Sequence, residues 1–448
     1  MRTRQRHQAL KTDLYELTMA AGYVQNHMSS QAVFELYWRV MPPNRSFLIA
    51  CGLEQALSYI SSLTFSNDDI LFLKSLDVFK HTKEDFWDFL KNFSFGGDVY
   101  AMREGEVFFA DEPILQVVAP IAEAQLLETY LLSVFNIECL VASKAARIVH
   151  AAREDGLGRS VVDFGSRRAH GPDAAVLAAR AAYVAGCAGT SNVLAGQAFD
   201  IPLYGTIAHS WISAYDDEQE AFKRYHDCFP DHTILLVDTY DTLKAVKAMT
   251  GLDYRDQIKA IRLDSGDLFN LSSESRRILD AAGLSRVKII ASGGLNEYKI
   301  KELVQAGAPI DSFGVGTDMV TSSDYSAADL IYKLVQIETD GQVKYKAKRS
   351  PRKQTVPGHK QIYRGTGSDH RFSGDKVCLK KEEAPSRTRP LLMKVMENGK
   401  RLIPEKTTAE IRQYCVDAKK CLPDGAFDLK TPYPYPLEYS GHLQKLMI

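Results

Sequence analysis

Five short apolar runs in the middle of the chain each end in residues that ionise, carry a hydroxyl group or bind phosphate. These runs are YGTIAHS, ILLVDTYD, AIRLDSGD, KIIASGG and FGVGTD. In a (β/α) barrel the catalytic groups follow the C-terminal ends of the strands. The runs therefore predict one face that carries, in chain order, His209, Asp238, Arg262, Asp264, Gly294 and Gly316.

Two of the runs place glycines where a strand gives way to a helix. Gly293 and Gly294 lie in ASGGLNE, and Gly314 and Gly316 precede Thr317 in FGVGTD. Glycine at such a point lets backbone N–H groups and a helix N-terminus approach an anion. One such turn is more often a tight connection, but two consecutive βα units of this kind resemble the phosphate site that barrels build from their last loops. We therefore expect a phosphorylated ligand.

Two carboxylates directly follow apolar strand residues, Asp238 in VDTYD and Asp264 in RLDSGD. At the mouth of a barrel they could hold ribose hydroxyls or a Mg²⁺ ion bound to pyrophosphate, because this ion prefers hard oxygen ligands. Aspartate is also a common helix cap, and this interpretation suits Asp241 and Asp267, three residues further along each run.

His209 follows the predicted strand IPLYGTIA. A lone histidine is usually a structural hydrogen-bonding group. Among phosphate-binding loops, however, its imidazole could accept a phosphoryl group as a nucleophile or orient a pyrophosphate leaving group. The neighbouring loops favour one of these chemical roles.

The elements around these residues alternate between strand-like and helix-like segments from 126 to 335, which is the pattern of parallel βα units. Before them, a helical segment, TDLYELTMAAGYVQNH, is followed by strands such as AVFELYWRV. The predicted fold is α/β, with an α/β N-terminal domain at 1–125, an irregular (β/α) barrel at 126–335, and a C-terminal extension at 336–448 that packs on the other domains.

Composition limits the partners. The 448 residues exceed one ordinary core, and 55 basic against 56 acidic side chains give a formal net charge of -1, which favours neither nucleic acid nor an anionic membrane. We expect no membrane span, because charges interrupt the apolar stretches before the roughly 20 residues a span needs. The N-terminus lacks the apolar core of a signal peptide, and seven scattered cysteines suit reduced thiols. We therefore expect a cytoplasmic protein.

Eight segments, in order, resemble the nicotinate phosphoribosyltransferase family. They are TDLYELTM, DFGSRRAHGPD, TSNVLAG, GTIAHSW, VDTYDT, RLDSGD, SGGLNE and FGVGTD, and VPGHKQIYR resembles the C-terminal pattern of the same family. The resemblance implies transfer of phosphoribose from phosphoribosyl pyrophosphate to the ring nitrogen of nicotinate, for NAD synthesis. It also implies coupled ATP hydrolysis through a phosphohistidine on His209, and a homodimer with shared active sites.

The residue chemistry and the resemblance together give each residue an expected role. His209, Asp238 and Asp264 would be catalytic, the two aspartates serving as Mg²⁺ ligands. The residues that would bind phosphoribosyl pyrophosphate are Ser265, Gly293, Gly294, Gly316 and Thr317.

For the nicotinate ring, the resemblance implies stacking between Phe164 and Tyr15, with Tyr15 supplied by the partner subunit. A planar aromatic acid needs such a slot and a cation for its carboxylate. Arg167, Arg168 and Arg262 are the candidate cations, and the residue that could add a hydroxyl donor is Thr206.

Three alternatives remain open. A nicotinamide-using relative resembles the chain but has an aspartate where TSNVLAG has Asn192, and a neutral residue there favours the acid. Quinolinate phosphoribosyltransferase would need a more basic pocket and a shorter chain. A non-catalytic barrel that binds a phosphosugar or nucleotide would not need a phosphorylatable histidine.

Overall fold

The computed structural model describes residues 7–348, 350 and 354–447. The chain divides into two compact units, which are described separately below. One unit contains the residues up to Leu140 and those from Ala327 onward, and the other runs from Val141 to Ser326.

The helices are distributed over both units. In chain order they are α1 (Leu14–Gln25), α2 (Leu53–Ser62), α3 (Asn67–Lys74), α4 (Glu84–Lys91), α5 (Ile121–Gln125), α6 (Glu128–Ala152), α7 (Pro172–Val184), α8 (Val193–Phe199), α9 (His209–Ser213), α10 (Glu218–Cys228), α11 (Thr242–Met249), α12 (Leu268–Ala281), α13 (Glu297–Gln305), α14 (Thr317–Val320), α15 (Thr408–Lys420) and α16 (Gly441–Met447).

The strands are distributed over both units. In chain order they are β1 (Gln31–Trp38), β2 (Leu48–Ile49), β3 (Asp98–Met102), β4 (Val107–Phe108), β5 (Pro113–Pro120), β6 (Ser160–Asp163), β7 (Gly189–Thr190), β8 (Ile234–Leu236), β9 (Ala260–Leu263), β10 (Lys288–Ala291), β11 (Ser312–Val315), β12 (Leu330–Thr339), β13 (Gln342–Tyr345), β14 (Lys360–Thr366), β15 (Phe372–Leu379), β16 (Thr388–Pro390), β17 (Leu392–Glu397), β18 (Lys400–Arg401) and β19 (Leu437–Tyr439).

The first unit is built on a seven-stranded antiparallel sheet with the order β13-β12-β1-β5-β3-β17-β18. Its centre comes from the N-terminal region, and strands from the far end of the chain complete both sides: Gln31 of β1 pairs with Glu338 of β12, and Met102 of β3 pairs with Leu392 of β17. Because β1 has neighbours on both sides, its residues after Gln31 are all buried. A second sheet, β16-β14-β15-β19, belongs to the same unit.

The second unit contains a six-stranded parallel sheet with the order β7-β6-β11-β10-β9-β8. Helices α7, α11, α12 and α13 follow strands as the βα pattern predicts, so the mixed α/β class is confirmed. In the part of the chain that the structure describes, the sheet ends at β7 and β8, and closure into a barrel remains the finer prediction.

One strand prediction was wrong. The segment IPLYGTIA before His209 is irregular, and its single pairing is an isolated bridge between Leu203 and Thr190. Proline has no N–H group for a ladder and Gly205 adds backbone freedom, so Pro202 and Gly205 both weaken a strand. His209 instead becomes the first residue of α9.

One long helical segment is strongly apolar. The segment Ile121–Ala152 is long and apolar enough to cross a membrane by length and composition, but 67% of its most apolar 18-residue stretch is buried inside the protein. Such burial is common for a core helix of a globular protein. All seven cysteines are free thiols, as predicted.

Candidate active site

Arg262, in β9, is the centre of a cluster at the C-terminal ends of the parallel strands. Its Nη2 donates to Asp264 Oδ1 at 2.7 Å, its Nε to Ser292 Oγ at 2.8 Å, and its Nη1 to Thr206 Oγ1 at 2.9 Å. The Arg262 side chain is 11% exposed. We call these four residues the Arg262 cluster. One guanidinium group thus ties together the chain segments that follow β7, β9 and β10.

The Arg262 cluster keeps Asp264 ionised. Burial alone would raise the pKa of the Asp264 carboxyl, but the hydrogen bond from Ser292 and the charge and hydrogen bond of Arg262 outweigh burial and lower the pKa below its ordinary value. The second oxygen, Oδ2, faces His209, whose Nε2 is 3.7 Å away. Asp264 is therefore an anchored anion with one oxygen directed to the mouth of the site.

Asp238 lies beside it, after β8. Its Oδ2 accepts from the Asp264 N–H at 3.0 Å and from Ser265 Oγ at 2.6 Å. Its Oδ1 is buried and has no hydrogen-bond partner in the described part of the chain. A buried polar oxygen without a donor is costly, so this atom is placed to meet a cation or a hydroxyl group.

His209 faces Asp264 from the start of α9. Its Nδ1 is 3.1 Å from Thr239 Oγ1, and its side chain is 45% exposed. An accessible imidazole beside an ionised carboxylate can take part in proton or phosphoryl transfer.

An aromatic slot borders the Arg262 cluster. Phe164 directly follows β6, and the guanidinium carbon of Arg262 is 5.4 Å from its ring centroid. Gly314 packs against this ring so closely that a Cβ atom there would lie 2.4 Å from Phe164 Cδ2. A cavity of about 590 Å³ is lined by Phe164, Tyr204, Thr206 and Gly314 and continues along the strands to Ser160 and Lys288.

The predicted phosphate glycines differ in what the backbone requires. Gly293 has φ +91°, and a Cβ there would lie 1.9 Å from the carbonyl oxygen of Asp264, so only glycine fits. Gly294, at φ +60°, is exposed just before α13. Gly316 has φ -116°, and Thr317 is exposed as the first residue of the short helix α14. The requirement for glycine is therefore strongest at Gly293.

Arg167 and Arg168 lie in the short 3-10 helix Ser166–Arg168, and both are exposed. Among the described residues neither guanidinium has a hydrogen-bond or ion-pair partner. Most donors of Arg262, by contrast, are already engaged within the protein. Arg167 and Arg168 are therefore more available to an anionic ligand.

Tyr15 belongs to the first compact unit. It lies on α1 and is 44% exposed, next to Leu14 at 49% and close to Met19 at 38%. Burial and the carboxylates of Glu128 and Glu16 raise the pKa of its hydroxyl, so Tyr15 is neutral.

The interpretation of two aspartates as helix caps is confirmed. Asp241 Oδ1 accepts from the Lys244 N–H at 3.1 Å, and Asp267 Oδ1 accepts from the Asn270 N–H at 3.1 Å. Asp241 caps α11 and Asp267 caps α12, and both helices begin next to the site.

Three family descriptions match the chain in order. The nicotinate phosphoribosyltransferase N-terminal domain matches residues 10–136, the nicotinate phosphoribosyltransferase family matches 159–373, and the corresponding C-terminal domain matches 384–447. The chain belongs to the nicotinate phosphoribosyltransferase family.

Individual relatives agree with this result. The nicotinate phosphoribosyltransferase pncB2 of Mycobacterium tuberculosis is 43% identical over 450 residues, covering 99% of this chain and 94% of that protein. The Bacillus subtilis nicotinate phosphoribosyltransferase is 40% identical over 390 residues, covering 85% of this chain and 78% of its own. The crystal structure of human nicotinic acid phosphoribosyltransferase superposes with a TM-score of 0.85 at 27% identity, covering 97% of this chain and 99% of that one.

Sequence reasoning about the nicotinate phosphoribosyltransferase motifs missed three contacts. Ser292 precedes Gly293 and Thr239 follows Asp238, so both stood beside predicted residues. Gly314, which lies in a predicted phosphate-binding loop, also makes room for Phe164. Position next to a predicted site residue was the available signal, but neither hydroxyl has a distinctive local pattern.

Proposed function

We propose that the chain transfers the phosphoribosyl group of phosphoribosyl pyrophosphate to the ring nitrogen of nicotinate, forming nicotinate mononucleotide and pyrophosphate for NAD biosynthesis. Membership of the nicotinate phosphoribosyltransferase family supports the reaction. The observation that carries the proposal is Arg262, which links Asp264, Ser292 and Thr206 beside the Phe164 ring.

The ring of nicotinate would stack on Phe164, where Gly314 leaves room for the ring and Thr206 adds a hydroxyl group. Its carboxylate would pair with Arg167, supported by the exposure of that guanidinium, while Arg262 supplies positive charge at the edge of the slot. Arginine suits this role because its planar donors match two carboxylate oxygens. Tyr15 of the partner subunit would close the other face of the ring.

The phosphoribosyl pyrophosphate would lie across the loops after β9, β10 and β11. Backbone N–H groups at Gly293, Gly294 and Gly316 and the hydroxyl groups of Ser265 and Thr317 are the proposed ligands, because such groups bind phosphate oxygens. The exposure of Gly293, Gly294, Ser265 and Thr317 supports this assignment.

Asp238 and Asp264 fit a Mg²⁺ ion. The buried Oδ1 of Asp238, which has no hydrogen-bond partner among the described residues, and the Oδ2 of Asp264 that faces His209 are hard oxygen donors on adjacent strand ends. When bound, Mg²⁺ would neutralise the charge of the pyrophosphate. The protein's own part is to hold the two carboxylates, through Arg262, Ser292 and Ser265, in their ionised form.

His209 would accept the γ-phosphoryl group of ATP, which couples ATP hydrolysis to synthesis. Its exposure and its place beside Asp264 support this role. We expect His209→Asn to abolish acid-labile labelling from γ-labelled ATP and the ATP stimulation of turnover, with the fold intact. Persistent labelling of that variant would refute the assignment.

The finer structural and cellular expectations belong to the same proposal. Closure of the parallel sheet into an irregular barrel, a homodimer with shared sites and a cytoplasmic location all suit a phosphoribosyltransferase of this family. The exposed apolar side chains of Leu14, Tyr15 and Met19 support a subunit contact at α1.

Nicotinamide is the second candidate substrate. Asn192, expected to distinguish acid from amide, uses its Oδ1 to accept the Ala195 N–H at 3.0 Å and so caps α8. An aspartate could form the same cap, so Asn192 gives less support to nicotinate than the family does.

The test is product formation from phosphoribosyl pyrophosphate with nicotinate, nicotinamide or quinolinate, each with and without ATP. We expect nicotinate mononucleotide from the first, with a rate that rises on addition of ATP. Faster turnover of nicotinamide would reverse the substrate choice, and no product from any of the three would favour a binding-only protein.

A further inference from the structure

We propose that Thr239 is a positioning residue of this site, whose hydroxyl group holds the His209 imidazole in the orientation that accepts a phosphoryl group. This inference rests on the ATP-coupled function proposed above. Thr239 lies between Asp238, which faces the site, and the cap of α11.

The His209 ring needs such a restraint. It is 45% exposed and is carried by the first residue of a five-residue helix. Its Nε2 is 3.7 Å from Asp264 Oδ2, which is longer than a hydrogen bond. Within the described part of the chain, the 3.1 Å contact from Nδ1 to Thr239 Oγ1 is the ring's hydrogen bond.

Thr239 is itself well fixed. On one side Asp238 is bound by the Asp264 N–H and the Ser265 hydroxyl, and on the other Asp241 caps α11. Threonine is also stiff at χ1 because of its β-branch. The Thr239 hydroxyl group therefore has a fixed position relative to β9, and its hydrogen bond to Nδ1 restrains the orientation of the His209 imidazole.

The chemistry requires an oriented ring. A lone pair on one ring nitrogen forms the N–P bond, the bond from Pγ to its bridging oxygen breaks, and that electron pair leaves on ADP, while the other ring nitrogen keeps its proton. A hydroxyl group can donate or accept, so Thr239 can hold the ring in either tautomer. Because misorientation of a nucleophile slows the reaction step, losing Thr239 should reduce the rate and leave ATP binding unchanged.

The experiment compares Thr239→Val, which replaces the hydroxyl by a methyl group of similar size, with Thr239→Ser, which restores it. Thr242→Val, three residues further along the chain at the start of α11, is the matched control. The rate constant for acid-labile labelling from γ-labelled ATP is measured over a range of ATP concentrations. We expect a loss of roughly 10- to 100-fold in Thr239→Val, the effect of one hydrogen bond to a reacting group.

The remaining expectations separate positioning from general damage. The ATP concentration at half-maximal rate should stay unchanged in Thr239→Val, Thr239→Ser should recover most of the rate, and Thr242→Val should match the unmodified chain. In product formation measured with ATP present, the double variant His209→Asn/Thr239→Val should be no slower than His209→Asn alone, because Thr239 acts through His209.

The outcomes distinguish failure of the role of Thr239 from failure of the proposed ATP-coupled function. Labelling of the unmodified chain with an unchanged rate in Thr239→Val overturns the role of Thr239 alone, as does a serine variant as slow as the valine variant. No labelling of the unmodified, folded chain overturns the ATP coupling and the role of Thr239 with it.

Discussion

In each compact unit an arginine pairs with at least one carboxylate, and the surroundings of the two arginines differ. Arg364, in the first unit, has no exposed surface, and it donates to Asp375 Oδ1 at 3.0 Å and to Glu106 Oε1 at 2.9 Å. Arg262, in the second, binds Asp264, a carboxylate that is 26% exposed. The first set is closed to solvent, whereas the second opens to it.

The protonation of the carboxylates follows this difference. Burial and the neighbouring Asp375 raise the pKa of Glu112, which lies in the Arg364 network, well above its ordinary value. The Arg262 cluster instead lowers the pKa of Asp264. A buried charge network that no ligand can reach serves the fold. An ionised, accessible carboxylate serves binding, because it lies beside Asp238 Oδ1, which has no hydrogen-bond partner in the described part of the chain.

The largest expected effect is a loss of stability in the variant Arg364→Met. Removing the cation leaves Glu106 and Asp375 buried without it, which should cost roughly 3 to 5 kcal/mol of the free energy of unfolding. Arg262→Met should cost less, since water can reach Asp264, but should abolish turnover. Urea unfolding in a Trp211→Phe background measures the first unit, because the remaining tryptophans, Trp38 and Trp87, both lie there.

Arg277→Met, an arginine that is 72% exposed, is the control and should change stability little. If Arg364→Met were as mild as Arg277→Met, the Arg364 network would not be what holds the first unit together.

The next effect is on binding. Asp264→Ala or Asp238→Ala should weaken the interaction with phosphoribosyl pyrophosphate by roughly 2 to 4 kcal/mol, because a charge-assisted contact is lost. Initial rates over a range of phosphoribosyl pyrophosphate and Mg²⁺ concentrations measure it. Asp267→Ala removes a carboxylate three residues away that only caps α12, and should leave these kinetics unchanged.

Equal kinetic defects in Asp264→Ala and Asp267→Ala would contradict this prediction, because losing a helix cap would then impair the kinetics as much as losing the proposed site carboxylate.

A smaller effect concerns Tyr15, which in the proposed shared site would come from the partner subunit. Tyr15→Ala should lose about 1 to 3 kcal/mol of nicotinate binding, the contribution of one stacked ring, without unfolding the protein. Mixing this variant with Asp264→Ala should restore part of the activity, because a mixed dimer would contain one intact site. Failure to recover activity despite demonstrated subunit exchange would mean that each chain builds its own site.

The smallest expected effect concerns the protonation state of Glu112. An acid whose pKa is raised on folding contributes stability below its unfolded pKa and loses it as pH rises through the folded pKa. Glu112→Gln is a neutral match for the protonated acid. It should therefore change the free energy of unfolding by no more than about 1 kcal/mol at pH 7, and it should flatten the pH dependence of that free energy above the ordinary pKa of glutamate. Asp264→Asn, equally conservative, should instead impair binding. Strong destabilisation by Glu112→Gln would show that Glu112 is ionised in the folded protein.

Much of the second unit could be predicted from sequence. The alternation of β9, α12, β10 and α13, the caps Asp241 and Asp267, and the placing of Asp238 and Asp264 at strand ends depend on residues close together in the chain. The strand predicted at IPLYGTIA failed because an apolar run alone does not overcome Pro202 and Gly205.

The sequence by itself determined the order of the βα units, the family and the residue types available for chemistry, because these depend on local hydrogen bonding and on motifs. Only the tertiary structure decided that β12 and β17 complete the sheet begun by β1 and β3, and that Thr239 meets His209. Those contacts join residues 30 to about 300 positions apart. Their partners are selected by packing and burial, which no local pattern specifies.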